Sequence, residues 1–118
     1  MNTEEIVSDW FHKWEKGHYR DLPLTDDFRH TSPFGTIEGK DAYLKIVEEN
    51  KDKFLGQTFE IHDGFYGENH ACVRYTARQG PDFLLDVSEW YYFEGELIDR
   101  IVAYYHIGEI RSERQLKS

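Results

Sequence analysis

The sequence predicts an α+β domain in which N-terminal helices are followed by an antiparallel β-sheet. Apolar residues recur every three to four positions in residues 3–16 and 40–55, and mainly every second position from residue 56 onward. Short turn-forming segments separate the later apolar runs. Helical runs followed by consecutive hairpin-linked strands are typical of this fold class. The 118 residues suit one domain, which we expect to span residues 1–118.

Two segments carry the helical pattern. Thr3 is the predicted N-cap of the first helix, acidic residues follow in its first turn, and Gly17 is its stop signal. The second helix is predicted over residues 40–55 and ends at Gly56. The apolar face of the first helix comprises Ile6, Val7, Trp10, Phe11 and Trp14.

The remaining segments are predicted as strands separated by turns that contain Gly, Pro or Asn. A short strand and its return lie between the helices, and four longer strands follow them. The segment 111–118 is polar and is expected to be a frayed tail. The predicted strands are residues 28–32, 36–38, 59–65, 71–78, 83–93 and 97–107.

Composition excludes several classes of function. Fourteen basic residues face 23 acidic ones, a net charge of −9, which disfavours binding to nucleic acid or to anionic membranes. Cys72 is the single cysteine, so a disulfide within the chain is excluded. The six histidines lack metal-binding spacing, and we expect no metal or cofactor. Without a signal peptide or a long apolar run, the chain is expected to be soluble and cytoplasmic.

Three segments in a characteristic order resemble a known family. They are the helix with Trp10 and Gly17, the segment from Asp26 to Gly39 with its Ser-Pro-Phe-Gly turn, and the strand pair that begins at Asp86. Together they resemble the nuclear transport factor 2-like superfamily, in its ketosteroid isomerase and SnoaL-like polyketide cyclase branch, over residues 3–110. The resemblance implies a cone-shaped fold whose curved antiparallel sheet and helices enclose an apolar pocket. It also implies a homodimer and a small apolar ligand.

The catalytic positions of the isomerase can be compared one at a time. Ser32 stands where the resemblance places the aspartate that acts as carbon base, and Trp10 stands where it places the phenol that donates to the oxyanion. Glu89 matches the carboxylic acid of the penultimate strand, a group that is kept protonated in the isomerase. With two of three positions changed, the chain is not expected to be a standard ketosteroid isomerase.

Glu89 and Arg74 are the predicted catalytic pair. Alternation along the strand, with the register that the resemblance implies, turns Val87, Glu89 and Tyr91 toward the pocket. Arg74 is expected on the same side, either tuning Glu89 and binding an anionic group or forming a structural ion pair with it. Both interpretations of the pair stay open at this point.

Other side chains are predicted to contact a ligand, because the aromatic content of 16% exceeds what a small core needs. Cys72 is expected to be a buried apolar residue on the inner face. Trp90, Tyr92 and Tyr104 fall on the outer face, where they predict a dimer interface. The predicted ligand-binding residues are Trp10, Trp14, His30, Ser32, Phe34, Tyr43, Tyr91 and Tyr105.

Three functions compete at this level. The first is an enzyme that uses acid–base chemistry on an apolar compound with a carbonyl or epoxide group. The second is a non-catalytic module that binds a hydrophobic ligand in the same pocket. The third is a partner-binding domain that uses its sheet face, for which a pocket filled by Phe34, Tyr43 or Tyr105 would be evidence.

Overall fold

A curved six-stranded sheet packs against the helices in the computed structural model of the protein, which describes residues 1–106. The α+β class predicted from the sequence is confirmed. Residue 107 of the last predicted strand and the tail 111–118 lie outside the described residues. The strands are β1 (Leu24–Ser32), β2 (Gly35–Glu38), β3 (Thr58–Tyr66), β4 (His70–Gln79), β5 (Phe83–Glu94) and β6 (Leu97–Tyr104).

The strand order is β2-β1-β6-β5-β4-β3. Neighbouring strands run antiparallel except at one place, where β1 lies parallel to β6 and pairs His30 with Ile101. This pairing brings β1, far away in sequence, next to the C-terminal strand. It therefore places the N-terminal strand and its polar side chains beside the centre of the sheet.

Helix α1 (Thr3–Lys16) lies on the inner face of the sheet. Its N-cap is Asn2 and not the predicted Thr3. The Asn2 side-chain oxygen accepts a hydrogen bond from the Glu5 backbone N–H, and the Glu5 carboxylate accepts one from the Asn2 backbone N–H. Thr3 instead donates its hydroxyl to the Gly67 carbonyl oxygen at 2.7 Å. Gly17 ends the helix in the left-handed conformation, as predicted.

The second predicted helix is interrupted. Helix α2 (Lys40–Glu49) and helix α3 (Lys51–Phe54) are separated at Asn50, whose backbone leaves the helical region. The Asn50 side chain is fully buried and donates to the Ile46 carbonyl oxygen at 2.8 Å. An Asn side chain competes in this way for backbone groups, which is why the apolar spacing alone did not predict the break.

The two faces of β5 differ sharply. Leu85, Val87, Glu89 and Tyr91 are buried on the inner face, whereas the outer face exposes Trp90. This is the alternation predicted for the strand.

Among the described residues, no helix has both the length and the apolar character needed to cross a membrane.

Candidate functional site

A cavity of about 470 Å³ lies between the inner face of the sheet and the helices. Its size falls within the range of small-molecule sites, which is about 300–1,000 Å³. Phe34, Tyr43 and Tyr105 stand in its wall and leave this volume open. Seven of the eight predicted ligand-binding residues line it: Trp10, Trp14, His30, Ser32, Phe34, Tyr43 and Tyr105.

Glu89 is the carboxyl group of this cavity. It projects inward from the middle of β5 and is 4% exposed. The Tyr75 hydroxyl donates to its Oε2 at 3.1 Å, and the Tyr91 hydroxyl donates to its Oε1. The Trp10 indole N–H also faces the carboxyl group and stabilises its charged form. Tyr91 is a neighbour on the same face of β5, whereas Tyr75 comes from β4 and Trp10 from α1, so folding is needed to bring the last two to Glu89.

Burial sets the protonation of Glu89. Loss of solvent raises its pKa from 4.5 to about 7, although the donors Tyr91, Tyr75 and Trp10 each pull the pKa downward by stabilising the charged form. A carboxyl group with this pKa exchanges its proton near neutral pH. Such a group is suited to general acid–base chemistry because both of its forms are populated there.

The hydrogen-bond capacity of Glu89 also indicates how it can meet a ligand. A carboxylate has about four acceptor positions on its two oxygens, and the Tyr75 and Tyr91 hydroxyls occupy one on each oxygen. A remaining position carries the proton of the neutral acid or accepts a hydrogen bond from a bound molecule. Glu89 can therefore donate to a carbonyl or epoxide oxygen when neutral, and accept a proton when charged.

The predicted placement of Arg74 is wrong. In the β4–β5 ladder Val73 lies opposite Glu89 and Arg74 lies opposite Ser88, so Arg74 points to the outer face. Its guanidinium donates to Asp63 at 2.8 and 3.0 Å and is 56% exposed, so the expected ion pair with Glu89 does not form. Arg74 shares its outward face with Cys72, which is half-buried opposite Trp90 and not in the inner core.

Tyr91 also differs from its prediction. Its side chain is completely buried and does not line the cavity, but its hydroxyl is bonded to Glu89. Tyr91 thus holds the Glu89 carboxyl group by a hydrogen bond from a position outside the cavity lining. It has no surface with which to contact a ligand.

A second polar group lies in the wall formed by β1. His30 stacks on Tyr43 with ring centroids 5.2 Å apart, and burial lowers the His30 pKa from 6.5 to about 4, so the imidazole is neutral at pH 7. The Ser32 hydroxyl accepts from the Phe34 N–H at 3.2 Å and is hydrogen-bonded to Tyr105. Within residues 1–106 no carboxyl group forms a hydrogen bond or ion pair with His30, so His30 and Ser32 suit ligand contact better than nucleophilic attack.

The sequence patterns did not identify four polar residues of the cavity wall, one of which is Thr36 on β2. Tyr75 lines the cavity and bonds Glu89, and Lys53 and Gln57 line another part of the wall. A signal for Tyr75 was present, because Val73, Tyr75 and Ala77 form the apolar half of an alternation whose other half carries two arginines.

The described residues contain no cluster of three or more His, Cys, Asp or Glu side chains able to hold a metal ion. The polar groups of the cavity wall are of different chemical kinds and include one carboxyl group. The others are a neutral imidazole, hydroxyls, an amide and an ammonium. Their arrangement suits hydrogen bonding to an organic molecule.

Solved structures show the same fold. An NTF2-like protein of unknown function from Cytophaga hutchinsonii has a TM-score of 0.78 at 20% identity, covering 92% of this chain and 93% of that one. A candidate ketosteroid isomerase from Kribbella flavida has a TM-score of 0.74 at 17% identity, covering 86% and 76%. The epoxide hydrolase/cyclase-like enzyme SalBIII, which acts in pyran ring formation in the polyether salinomycin, has a TM-score of 0.76 at 15% identity, covering 90% and 92%.

These neighbours share the fold with the present chain at identities that carry no inference about substrate. Comparison with curated proteins gives no match. The family model of the SnoaL-like domain matches residues 7–101, a range that includes most of α1, both shorter helices and nearly all of the sheet. The resemblance predicted from the sequence is therefore confirmed, and the chain belongs to the SnoaL-like domain family.

Proposed function

We propose that this protein is an enzyme that binds a small apolar compound in the cavity and acts on its carbonyl or epoxide group by acid–base chemistry. The observation that carries the proposal is Glu89, a buried carboxyl group with a pKa of about 7 in the wall of an aromatic cavity. Among similar folds, one is named an epoxide hydrolase/cyclase-like enzyme and another a candidate isomerase. Both kinds of chemistry require proton transfer.

Each residue of the site has a role in this proposal. Neutral Glu89 donates its proton to the substrate oxygen, and the resulting carboxylate is stabilised by Tyr75, Tyr91 and Trp10. His30 and the Ser32 hydroxyl contact other polar atoms of the compound from β1. The aromatic rings exclude water, which strengthens these polar contacts. Arg74 has no part in the reaction because it lies on the other face.

Steroid isomerase activity is expected to be absent or very weak. Ser32 occupies the position of the carbon base, and its hydroxyl is already engaged by the Phe34 N–H. Loss of a general base commonly costs about 10²–10⁴-fold in rate. The measurement is conversion of a β,γ-unsaturated ketosteroid followed by ultraviolet absorbance; rapid turnover by the wild type would contradict this expectation.

Native mass spectrometry of the purified protein, followed by identification of any bound compound, is the experiment that tests the proposal. That compound is then incubated with the wild type, with Glu89→Gln and with Glu94→Gln. Glu94 ends the same strand and is exposed, so its variant is a matched control. We expect product from the wild type and the control, and a loss of about 10²-fold or more in Glu89→Gln.

A non-catalytic binding module is the second candidate. It is favoured by the fact that both carboxyl oxygens of Glu89 already accept hydrogen bonds from phenols, as in a structural polar network. In the experiment above, this function predicts a bound compound that all three proteins retain without converting it.

We also propose that the outer face of the sheet forms a homodimer. Opposed positions of the four strands β3 to β6 align Phe65, Cys72, Trp90 and Val102 in one row across this face. Phe65 is 75% exposed and Trp90 is 40% exposed. Covering this exposed apolar row with a second copy of the chain would remove its apolar surface from water, which is favourable. If the protein is instead a partner-binding domain, a different protein would cover this face in place of the second copy.

The cytoplasmic location of the protein stays a prediction.

A further inference from the structure

The cavity wall contains a basic side chain that the proposed chemistry does not use. Lys53 is half-buried on α3 and is the one permanently cationic residue among the described residues that line the cavity. The described residues offer its ammonium no ion pair, whereas the nearby Lys51 is paired with Glu48 at 3.3 Å. Lys16, Lys40 and Lys45 also have no ion pair with a described residue, but none of them lines the cavity, so Lys53 is set apart by its position.

Gln57 provides a second polar group beside Lys53. Its side-chain Nε2 donates to the Lys53 carbonyl oxygen at 2.7 Å, which ties the two residues into one turn, and both line the cavity. This bond fixes the Gln57 amide against the Lys53 backbone. The second Nε2 hydrogen of Gln57 and the Lys53 ammonium are donors, which is the chemistry that an anionic oxygen requires.

Aromatic rings connect this pair to the carboxyl group. Phe59, two residues beyond Gln57, packs edge-on against Tyr75 with ring centroids 5.8 Å apart, and the Tyr75 hydroxyl bonds Glu89. Glu89 is 4% exposed, while Lys53 is half-buried. The cation therefore lies nearer to solvent, and the carboxyl group lies deeper behind an aromatic wall. A lysine can place its alkyl stem along such a wall with its ammonium toward water.

The geometry points to an apolar organic anion as the ligand, held with its anionic group at Lys53 and Gln57 and its apolar body against the aromatic rings. A carboxylate is the simplest such group. The inference rests on the part of the proposed function that makes this cavity the ligand site, and it is independent of proton transfer at Glu89.

A pair of fluorescent probes separates the anionic group from the apolar body. The first is 1-anilinonaphthalene-8-sulfonate, and the second is the neutral N-phenyl-1-naphthylamine, which lacks only the sulfonate. Both are titrated into the wild type, Lys53→Gln, Lys53→Arg and Lys51→Gln. Lys51→Gln is the matched control. It removes the same charge two residues from Lys53, and the Lys51 side chain does not line the cavity.

We expect both dyes to bind one site and to displace each other. Lys53→Gln should weaken binding of the sulfonate dye by about fivefold or more, since a charged hydrogen bond is lost. It should leave binding of the neutral dye within about twofold by the same argument. Lys53→Arg and Lys51→Gln should bind both dyes as the wild type does.

Other results overturn the inference in distinguishable ways. If Lys53→Gln weakens both dyes equally or neither dye, or if Lys51→Gln has the same effect, Lys53 does not recognise the anionic group. Binding of neither dye to the wild type would contradict this inference together with the proposed ligand site. The Glu89→Gln variant should keep the dependence on Lys53, and its loss of turnover alone leaves the inference in place.

Discussion

Glu89 is the residue whose surroundings matter most. Removal from water raises its pKa to about 7, and the hydroxyls of Tyr91 and Tyr75 act in the opposite direction. The two effects have separate structural origins, because burial comes from the whole cavity wall and each hydroxyl comes from one side chain. Substitution of single hydroxyls can therefore move the pKa without emptying the site.

The first prediction concerns that balance. Tyr75→Phe should raise the pKa of Glu89 further, since it removes a donor to the charged form. Carbon-13 carboxyl NMR measures the titration, and Tyr92→Phe on the outer face of β5 is the control with the same atomic change. A wild-type pKa below 4, or equal effects of the two variants, would contradict this account of Glu89.

The second prediction concerns stability against pH. Between pH 4.5 and 7 the unfolded chain has lost the Glu89 proton that the folded chain keeps, so this residue makes stability fall as pH rises, by about 3 kcal/mol in all. His30 acts in the reverse sense: its pKa falls from 6.5 to about 4 on folding, so stability is lost as pH falls through that range.

The two slopes oppose each other between pH 4.5 and 6.5, and single variants expose each one. Glu89→Gln should make stability rise with pH over this range, and His30→Gln should make it fall. Urea unfolding at a series of pH values measures both variants. Parallel pH profiles for the wild type and both variants would show that neither group titrates as its burial implies.

At the scale of the element, the pairing of β4 with β5 decides which side chains meet Glu89. Val73 lies opposite Glu89, so Tyr75, on the same face of β4, reaches the carboxyl group while Arg74 bonds Asp63 outside. Shifting this pairing by one residue would exchange the two faces of the strand. The identity of the Glu89 partner is therefore a property of the strand pair.

The third prediction tests this register. Arg74→Gln should leave the pKa of Glu89 unchanged and reduce the free energy of unfolding by about 1 kcal/mol or less, because exposed ion pairs contribute little. The same NMR titration and urea unfolding provide the measurements. A change in the Glu89 titration with Arg74→Gln would mean that Arg74 acts on the inner face after all.

At the scale of the whole molecule, the sheet has two surfaces with different expected partners. The inner surface encloses the cavity, and the outer surface carries the row of side chains that includes Trp90. Tyr92 lies on the same outer surface, and its ring centroid is 4.4 Å from the Arg100 guanidinium. Tyr104 on the same side is 60% exposed. Cavity and proposed interface thus share strands, and they use alternate residues.

The fourth prediction is that Trp90→Glu shifts the protein toward a monomer, because it places a charge in the proposed interface. Sedimentation velocity at micromolar concentration measures the change, with Trp90→Phe as the control that keeps an apolar ring. A wild type that sediments as a 14.1 kDa monomer would contradict the proposed homodimer.

Local patterns were sufficient for much of the fold and part of the site. The spacing in α1, its end at Gly17 and the alternation along β5 follow from neighbours within a few residues, whereas the inward position of Glu89 came from the register that the family resemblance implies. The break at Asn50 was missed because the apolar spacing continues through it. The parallel pairing of β1 with β6 was missed because it joins strands about 70 residues apart, and no local pattern encodes such a partner.

The sequence by itself determined the α+β class and the alternation along β5, because periodicity and turn residues act over short distances. It also carried the family resemblance, whose register implied which face of β5 is inward. Only the tertiary structure decided that Tyr75 and not Arg74 contacts Glu89, and that Lys53 reaches the cavity wall. It also decided the Glu89 pKa of about 7. Desolvation depends on every group packed around a carboxyl, and those groups come from segments that only folding brings together.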